Sequence, residues 1–409
     1  MICRLCGAST RTVINLGDMP LANKLRLTPD TPEKRYPLWL QYCDRCGNLQ
    51  LGYCVEEAEL YDEYLYITPR SSSLEWHYAN LIYHMRARRY LSGDAFMFEF
   101  GSNVGRFLKH AQPHVGRVVG LDPAGAIARL ANDEGVPTIH AFFSPDTAAA
   151  VAKDHGLADL VVARHCAAHN SDAHGLIAGV KAIIAPRGVF VMENAYGLNT
   201  VLNHEIGQIY HEHMFYFTAR SVQRLFSTHG LDLIDLLFAD DIHGGSMVFY
   251  GAPAGTRPTQ RVVEATLARE RAILTDALLD LMPKSVERWQ IETRALLDQL
   301  KRDGRSIWLY GASAKAATFV NAVGIDAPDV FYCADSTAEK IGKVMPGTKI
   351  IIRSEEEAIA ARPDYFLVTA WNYRHELIAK VRAAGNIHSG FAVPFPEVNV
   401  ILPSAADDA

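Results

Sequence analysis

No stretch of this 409-residue chain is apolar over the length that a bilayer crossing demands. The start, Met1-Ile2-Cys3-Arg4, lacks the apolar segment of a secretory leader, so the expected location is cytoplasmic and away from membranes. A basic excess is missing too. Lys and Arg total 40 against 46 Asp and Glu, and a net charge of −6 gives no electrostatic footing for nucleic acid. Cysteine is scarce at seven, and Cys54, Cys166 and Cys333 are scattered, which fits free thiols in a reducing compartment. The GxGxxG fingerprint of a dinucleotide fold and the HExxH pair of a zinc protease are also absent. What remains is 49% hydrophobic and 21% charged, a globular composition too long for one core.

The other four cysteines form two CxxC pairs, Cys3-Arg4-Leu5-Cys6-Gly7 and Cys43-Asp44-Arg45-Cys46-Gly47. The tight turn in each pair points both sulfurs inward, and the following glycine relieves crowding where backbone N–H groups approach them. Four thiolates complete a tetrahedron and leave no position for water or substrate. The expected metal is therefore a structural zinc on Cys3, Cys6, Cys43 and Cys46. A thioredoxin-like redox pair would need a surrounding βαβ pattern, which is missing here.

Turn-rich sequence, Gly17-Asp18-Met19-Pro20-Leu21-Ala22-Asn23, lies between the knuckles, and a helix is expected over 73–90. From Ala95 the pattern alternates, with strands at 96–100, 118–122, 160–163 and 189–193 and helices between them. Such βα units predict a parallel sheet covered on both faces. Edge strands follow at 231–237 and 247–250. A long charged helix over 259–302 should kink or break at Pro283. A second βα series occupies 306–310, 330–335, 350–352 and 365–368. The expected organisation is α/β throughout: a metal module at 1–70, a Rossmann-like domain at 71–255, a helical connector at 256–302 and a second Rossmann-like domain at 303–409.

Glycine-rich turns open both series. In Glu99-Phe100-Gly101-Ser102-Asn103-Val104-Gly105, Gly101 and Gly105 allow close backbone approach, and Asp122 ends the next strand, placed to accept from both hydroxyls of a ribose. Asn103 stands where the second glycine of an NAD fingerprint belongs. Glu99 would repel a pyrophosphate but suits the ammonium end of a methionine. The turn thus favours S-adenosylmethionine over a nicotinamide; a tight turn that binds nothing is the plain alternative. The second turn, Tyr310-Gly311-Ala312-Ser313-Ala314-Lys315 with Asp335 after it, offers backbone N–H groups and the Lys315 charge to a diphosphate, or only packs as duplicated scaffold.

Titratable side chains are densest in Tyr210-His211-Glu212-His213-Met214-Phe215-Tyr216. Extended, the run would send His211 and His213 to one face; as a loop, all could line a cleft. Imidazole is the natural base near neutral pH, with Glu able to orient it. A hydrogen-bonded aromatic corner is the structural reading of the same residues.

From end to end the chain resembles the sugar C-methyltransferases that place a branching methyl on nucleotide-linked deoxy sugars. The landmarks are the paired knuckles, Pro20-Leu21-Ala22-Asn23, Gly101-Ser102-Asn103, Gly120-Leu121-Asp122-Pro123, Tyr210-His211-Glu212-His213 and His243-Gly244-Gly245-Ser246. Gly311-Ala312-Ser313-Ala314-Lys315, Pro346-Gly347-Thr348 and Trp371-Asn372 continue them in order. The resemblance implies a zinc-binding N-terminal module, a class I methyltransferase domain and a second Rossmann-like domain. As in the C3-methyltransferases of 4-keto-6-deoxy sugars, it implies His213 as base, with Tyr210 and Glu212 assisting and Tyr66 in the site. Lys315, Trp371 and Asn372 would hold the nucleotide sugar, with His211 beside it.

Three places depart from that family: Val104 replaces an Asp, 163–172 replaces an Asn-rich turn, and Asn194-Ala195 replaces a Pro. The implied chemistry needs no redox step. A carbon beside a ketone loses its proton to a positioned base, and the enolate attacks the sulfonium methyl. The competing readings are another keto substrate, a nicotinamide-dependent sugar oxidoreductase or epimerase, and a catalytically silent binding protein.

Overall fold

Three β-sheets organise the computed structural model, which describes residues 1–56, 59–60, 67–68, 71–239, 244–395 and 397–403. Tyr66 and His243 lie outside the described residues. The first sheet is antiparallel and is built from β1 (Arg11–Pro20), β2 (Arg35–Cys43), β3 (Asn48–Leu51) and, from far along the chain, β9 (Phe215–Tyr216), in the order β1-β2-β3-β9. The expected turn at Gly17–Pro20 is instead the end of β1. Gly17 takes a φ of 76°, its N–H donates to Asn15 Oδ1 at 2.9 Å, and the register slips between Asn15 and Asp18. Glycine here makes a bulge, not a stop.

The second sheet contains β4 (Phe96–Phe100), β5 (Arg117–Asp122), β6 (Thr138–His140), β7 (Ala158–Arg164), β8 (Ile184–Ala195), β10 (Leu231–Ala239) and β11 (Ser246–Pro253). Their order is β10-β11-β8-β7-β4-β5-β6, with β11 antiparallel to both neighbours and the rest parallel. This is the expected class I methyltransferase arrangement. Alternation sends Met97, Val118 and Leu160 into one buried cluster and Phe98, Val119 and Val161 into another. Both faces are covered, which is why these strands read as continuous apolar runs. The helix Ser72–Ala87 packs Tyr78, Leu81 and Met85 into the first cluster. Because the chain leaves β4 toward β5 and returns to β7 on its other side, a crevice opens at the carboxyl ends of these strands.

The third sheet comprises β12 (Ile307–Tyr310), β13 (Cys333–Asp335), β14 (Ile352–Ser354), β15 (Tyr365–Val368), β16 (Gly390–Val393) and β17 (Asn399–Ile401), ordered β14-β13-β12-β15-β16-β17 and parallel except at β17. It is the second Rossmann-like unit. The connector corrects an expectation. Two helices, Arg261–Ile273 and Asp276–Arg302, meet at an extended Thr275 whose side chain caps the second, and that second helix runs through Pro283 unbroken. Pro283 forfeits one backbone bond within a 27-residue helix that otherwise holds. Among the described residues no helix is long and apolar enough to cross a membrane.

Candidate active site

The knuckles come together as their spacing demands. Cys3 and Cys46 Sγ lie 3.6 Å apart, Cys6 and Cys43 3.5 Å, and all four sulfurs fall within 4.8 Å of one another. A tetrahedron with zinc–sulfur bonds of about 2.3 Å has edges of about 3.8 Å, so the four thiols fit zinc. Gly7 and Gly47 adopt φ of 72° and 74°, the left-handed conformation that each knuckle turn needs. Every cysteine is unbridged.

This zinc module is built against the histidine run. β3 pairs with β9, Leu49 opposite Tyr216, immediately after His213. Arg4 donates to the carbonyls of Leu51 and Met214, each at 2.9 Å. Asn23 Nδ2 donates to Glu212 Oε1 at 3.0 Å, and His211 Nε2 donates to the Tyr36 carbonyl at 3.3 Å. Glu212 and His211 are therefore buried under the module, where desolvation raises the carboxyl pKa and lowers that of the imidazole. The run itself is a turn, closed by His213 N–H to the Tyr210 carbonyl at 2.9 Å. His211 and His213 thus part company.

His213 has its two nitrogens in distinct roles. Nδ1 lies 3.0 Å from the Gln208 carbonyl, which can only accept, so Nδ1 carries the proton. Nε2 then accepts from the Tyr210 hydroxyl at 2.6 Å. Burial, then the neighbouring His169, holds the His213 pKa well below its ordinary value. The ring is neutral at pH 7 and has a lone pair on Nε2. His169 stacks on it with centroids 5.2 Å apart, its own pKa pushed down to about 4 by burial and His165.

His169 also lines a cavity of about 330 Å³ above the ends of β4, β5 and β7, along with Gly101, Asn103, Asp122, Arg164 and His165. Asp122 Oδ2 accepts from Asn103 N–H and Oδ1 from Ala124 N–H, both at 2.9 Å, which aims the carboxylate at the cavity. A Cβ on Gly101 would sit 2.7 Å from Cys166 Cβ, and one on Gly105 2.7 Å from Val136, so both glycines are needed for the turn to close. Glu99 lies beneath, wholly buried. Its Oε1 accepts from Arg164 Nε at 2.9 Å, and its Oε2 has no hydrogen-bond partner among the described residues. Burial pushes the Glu99 pKa up to about 7 although Arg164 opposes it. That orphan oxygen and the adjacent guanidinium suit the ammonium and carboxylate of a methionine. The cavity fits S-adenosylmethionine.

Sequence reasoning left Arg164, His169 and a third group unassigned. His77 Nε2 lies 2.6 Å from Glu193 Oε1, and His165 Nε2 lies 3.6 Å from it. Burial alone would raise the Glu193 pKa, but the two imidazoles outweigh it and hold the carboxylate well below its usual range. His165 and His169 stand in the 163–172 stretch that departs from the family, and nothing in their spacing says that they face His213.

Lys315, Trp371 and Asn372 meet the catalytic domain around Glu205 and Gly207. A Cβ on Gly207 would lie 2.7 Å from the Trp371 ring and 3.3 Å from Lys315 Cβ. One on Gly244 would lie 3.4 Å from Asn372 Nδ2. Burial lowers the Lys315 pKa to about 8 against the pull of Glu205. Trp371 is packed on Phe319 and Phe395 and is 3% exposed. The Asp335 carboxylate is taken up within the chain by Ala312 N–H at 2.8 Å and Lys340 at 3.2 Å.

The chain is similar to known proteins along most of its length. Family profiles match a zinc binding domain at residues 3–61, a methyltransferase domain at 84–236 and a C-methyltransferase C-terminal domain at 241–396. The C-methyltransferase NovU of Streptomyces niveus is 36% identical over 405 residues, 98% of this chain and 96% of that protein. Two solved structures overlap part of the chain. The magnesium protoporphyrin IX methyltransferase of Synechocystis has 15% identity and a TM-score of 0.36, covering 44% of this chain and 84% of its own. A SAM-dependent methyltransferase of Anabaena variabilis, with 15% identity and a TM-score of 0.36, covers 47% of this chain and 100% of its own.

Proposed function

The chain belongs to the S-adenosylmethionine-dependent C-methyltransferase family, and on that premise we propose that its substrate is a nucleotide-linked keto sugar, methylated at C3 of an NDP-4-keto-6-deoxy sugar. One observation carries the reading: a neutral His213 with an accepting Nε2, set beside the cofactor cavity and stacked on a residue that lines it. The bound cofactor supplies a methyl group on a sulfonium. Everything else falls to the chain.

His213 Nε2 takes the proton from the carbon beside the ketone. For that lone pair to be available, the Tyr210 hydroxyl first turns from Nε2 to the substrate's carbonyl oxygen, where it then donates to the developing enolate. Gln208, through its carbonyl, keeps Nδ1 protonated and so keeps Nε2 as the base. Glu212 anchors the turn to Asn23 of the zinc module, and His211 does the same through Tyr36. Lys315 and Asn372 lie where they can hold the diphosphate and sugar between the two Rossmann-like domains, with Trp371 as a packed wall. Asp122 receives the ribose of the cofactor, and Glu99 with Arg164 receives its methionine end.

The test is incubation with methyl-labelled S-adenosylmethionine and a panel of 4-keto-6-deoxy nucleotide sugars, followed by carbon NMR of the product. The label is expected as a branch at C3. Label on oxygen or nitrogen, or turnover confined to ketones without a nucleotide, would overturn the assignment.

A further inference from the structure

We propose that a cleft remote from the methyl-transfer site binds a diphosphate-bearing small molecule. The cleft encloses about 500 Å³ and is walled by Arg45, Arg220, Arg224 and Arg271. Three separate segments supply these arginines. Arg45 sits between Cys43 and Cys46 in the second knuckle, Arg220 and Arg224 lie on the helix Ala219–Thr228, and Arg271 lies on the helix Arg261–Ile273. In a chain of net charge −6, four arginines line this cleft with a single carboxylate, Asp232, whose Oδ2 already accepts from Gly255 N–H at 2.8 Å. Arg45, Arg224 and Arg271 make no side-chain hydrogen bond or ion pair among the described residues, whereas Arg294 is held by Asp298 and Asp329.

The cleft is also held in shape. Arg220 donates to the Tyr42 hydroxyl at 3.2 Å and to the Asp44 carbonyl at 3.0 Å, which ties the helix to the knuckle. Glu270, next to Arg271, accepts from the backbone N–H groups of Ala219 at 2.6 Å and Arg220 at 2.9 Å, which ties the two helices together. Cys43 and Cys46, two of the four thiols that would hold zinc, flank Arg45. Guanidiniums gathered along one cleft match phosphate oxygens, and Arg45, Arg224 and Arg271 each keep a fork of two parallel donors.

Dimensions select the ligand class. Residues 220, 223, 224 and 227 share one helical face, and the span from Arg220 to Ser227 is about 10 Å at 1.5 Å per residue. That matches an extended organic diphosphate better than a lone phosphate. The cleft is distinct from any diphosphate pocket of the methyl acceptor. Leu233 pairs with Gly251, five residues along β11 from Ser246, which is opposite Ala195 at the carboxyl edge. The separation along the strand is about 17 Å.

The experiment is calorimetric titration of the zinc-loaded chain, saturated with S-adenosylhomocysteine, with inorganic pyrophosphate. Wild type should show a site whose affinity falls at least tenfold in the double variant Arg224→Ala, Arg271→Ala, while binding of S-adenosylhomocysteine is unchanged. Arg224→Glu alone should weaken it similarly, and Lys315→Met should leave it intact. No heat in wild type, an unchanged affinity and stoichiometry in the double variant, or loss in Lys315→Met instead would each overturn the proposal.

Discussion

At His213, two hydrogen bonds decide which nitrogen can take a proton, and burial decides when. The lowered pKa places its titration below the ordinary imidazole value of about 6.5. The base must be deprotonated to work, so kcat/KM should rise with pH along a limb centred below about 6.5. Lys315 must be protonated to hold an anion, so kcat/KM should fall near pH 8, where its lowered pKa lies. A rate profile whose acid limb is centred above 6.5 would contradict the first half; an alkaline limb unmoved in Lys315→Arg would contradict the second. At Asp122, replacement by Ala removes ribose acceptors and two backbone ties. Cofactor binding should weaken by about 1.5–3 kcal/mol, read by calorimetry with S-adenosylhomocysteine. Several of these residues were visible in the sequence because their chemistry is local: a carboxylate at a strand end, a histidine in a dense polar run. Gln208 was not, since it acts through a carbonyl that every residue has. Asn23 and His169 were not assigned either, because only folding brings them beside Glu212 and His213.

The strands of the methyltransferase sheet were legible because burial on both faces leaves uninterrupted apolar runs, such as Phe96–Phe100. The zinc-module strands were not, because Gly17 and Pro20 look like turn residues and sit in a bulged edge strand. That small sheet has a consequence for activity. Its last member, β9, belongs to the catalytic domain and begins two residues after His213. Removing zinc should therefore abolish methyl transfer without removing any metal chemistry, as β3 loses its fixed end and Asn23 leaves Glu212. The cofactor cavity is built on β4, β5 and β7, so S-adenosylhomocysteine should still bind to the metal-free chain. Chelation followed by binding and activity measurements checks both. Retained turnover without zinc would sever the module from the site. The break at Thr275 in place of Pro283 follows from capping: a Thr with an extended backbone starts the second helix, and one missing N–H inside it is a smaller cost.

The three sheets act together at one place, the turn from Glu205 to His213. The zinc module covers it, the methyltransferase sheet carries it, and the second Rossmann-like unit reaches it through Thr318, whose hydroxyl donates to the Ile209 carbonyl at 3.1 Å. Gly207 lies directly against Trp371 and Lys315 of that unit. Ala there would press on a Trp371 ring already wedged between Phe319 and Phe395, an overpacking of about 1–3 kcal/mol. KM for the sugar nucleotide should rise, with cofactor affinity unchanged; an equal loss of both would mean general destabilisation. The resemblance made a two-Rossmann chain with a zinc cap legible, but not the convergence of all three parts on a single turn. The most direct measurement is exchange of the C3 proton of a 4-keto-6-deoxy nucleotide sugar with deuterated water, without methyl donor. Wild type should exchange it, and His213→Ala, with substrate still bound, should exchange at least about a hundredfold more slowly. Exchange at the wild-type rate in the variant, or none in wild type, would contradict the account.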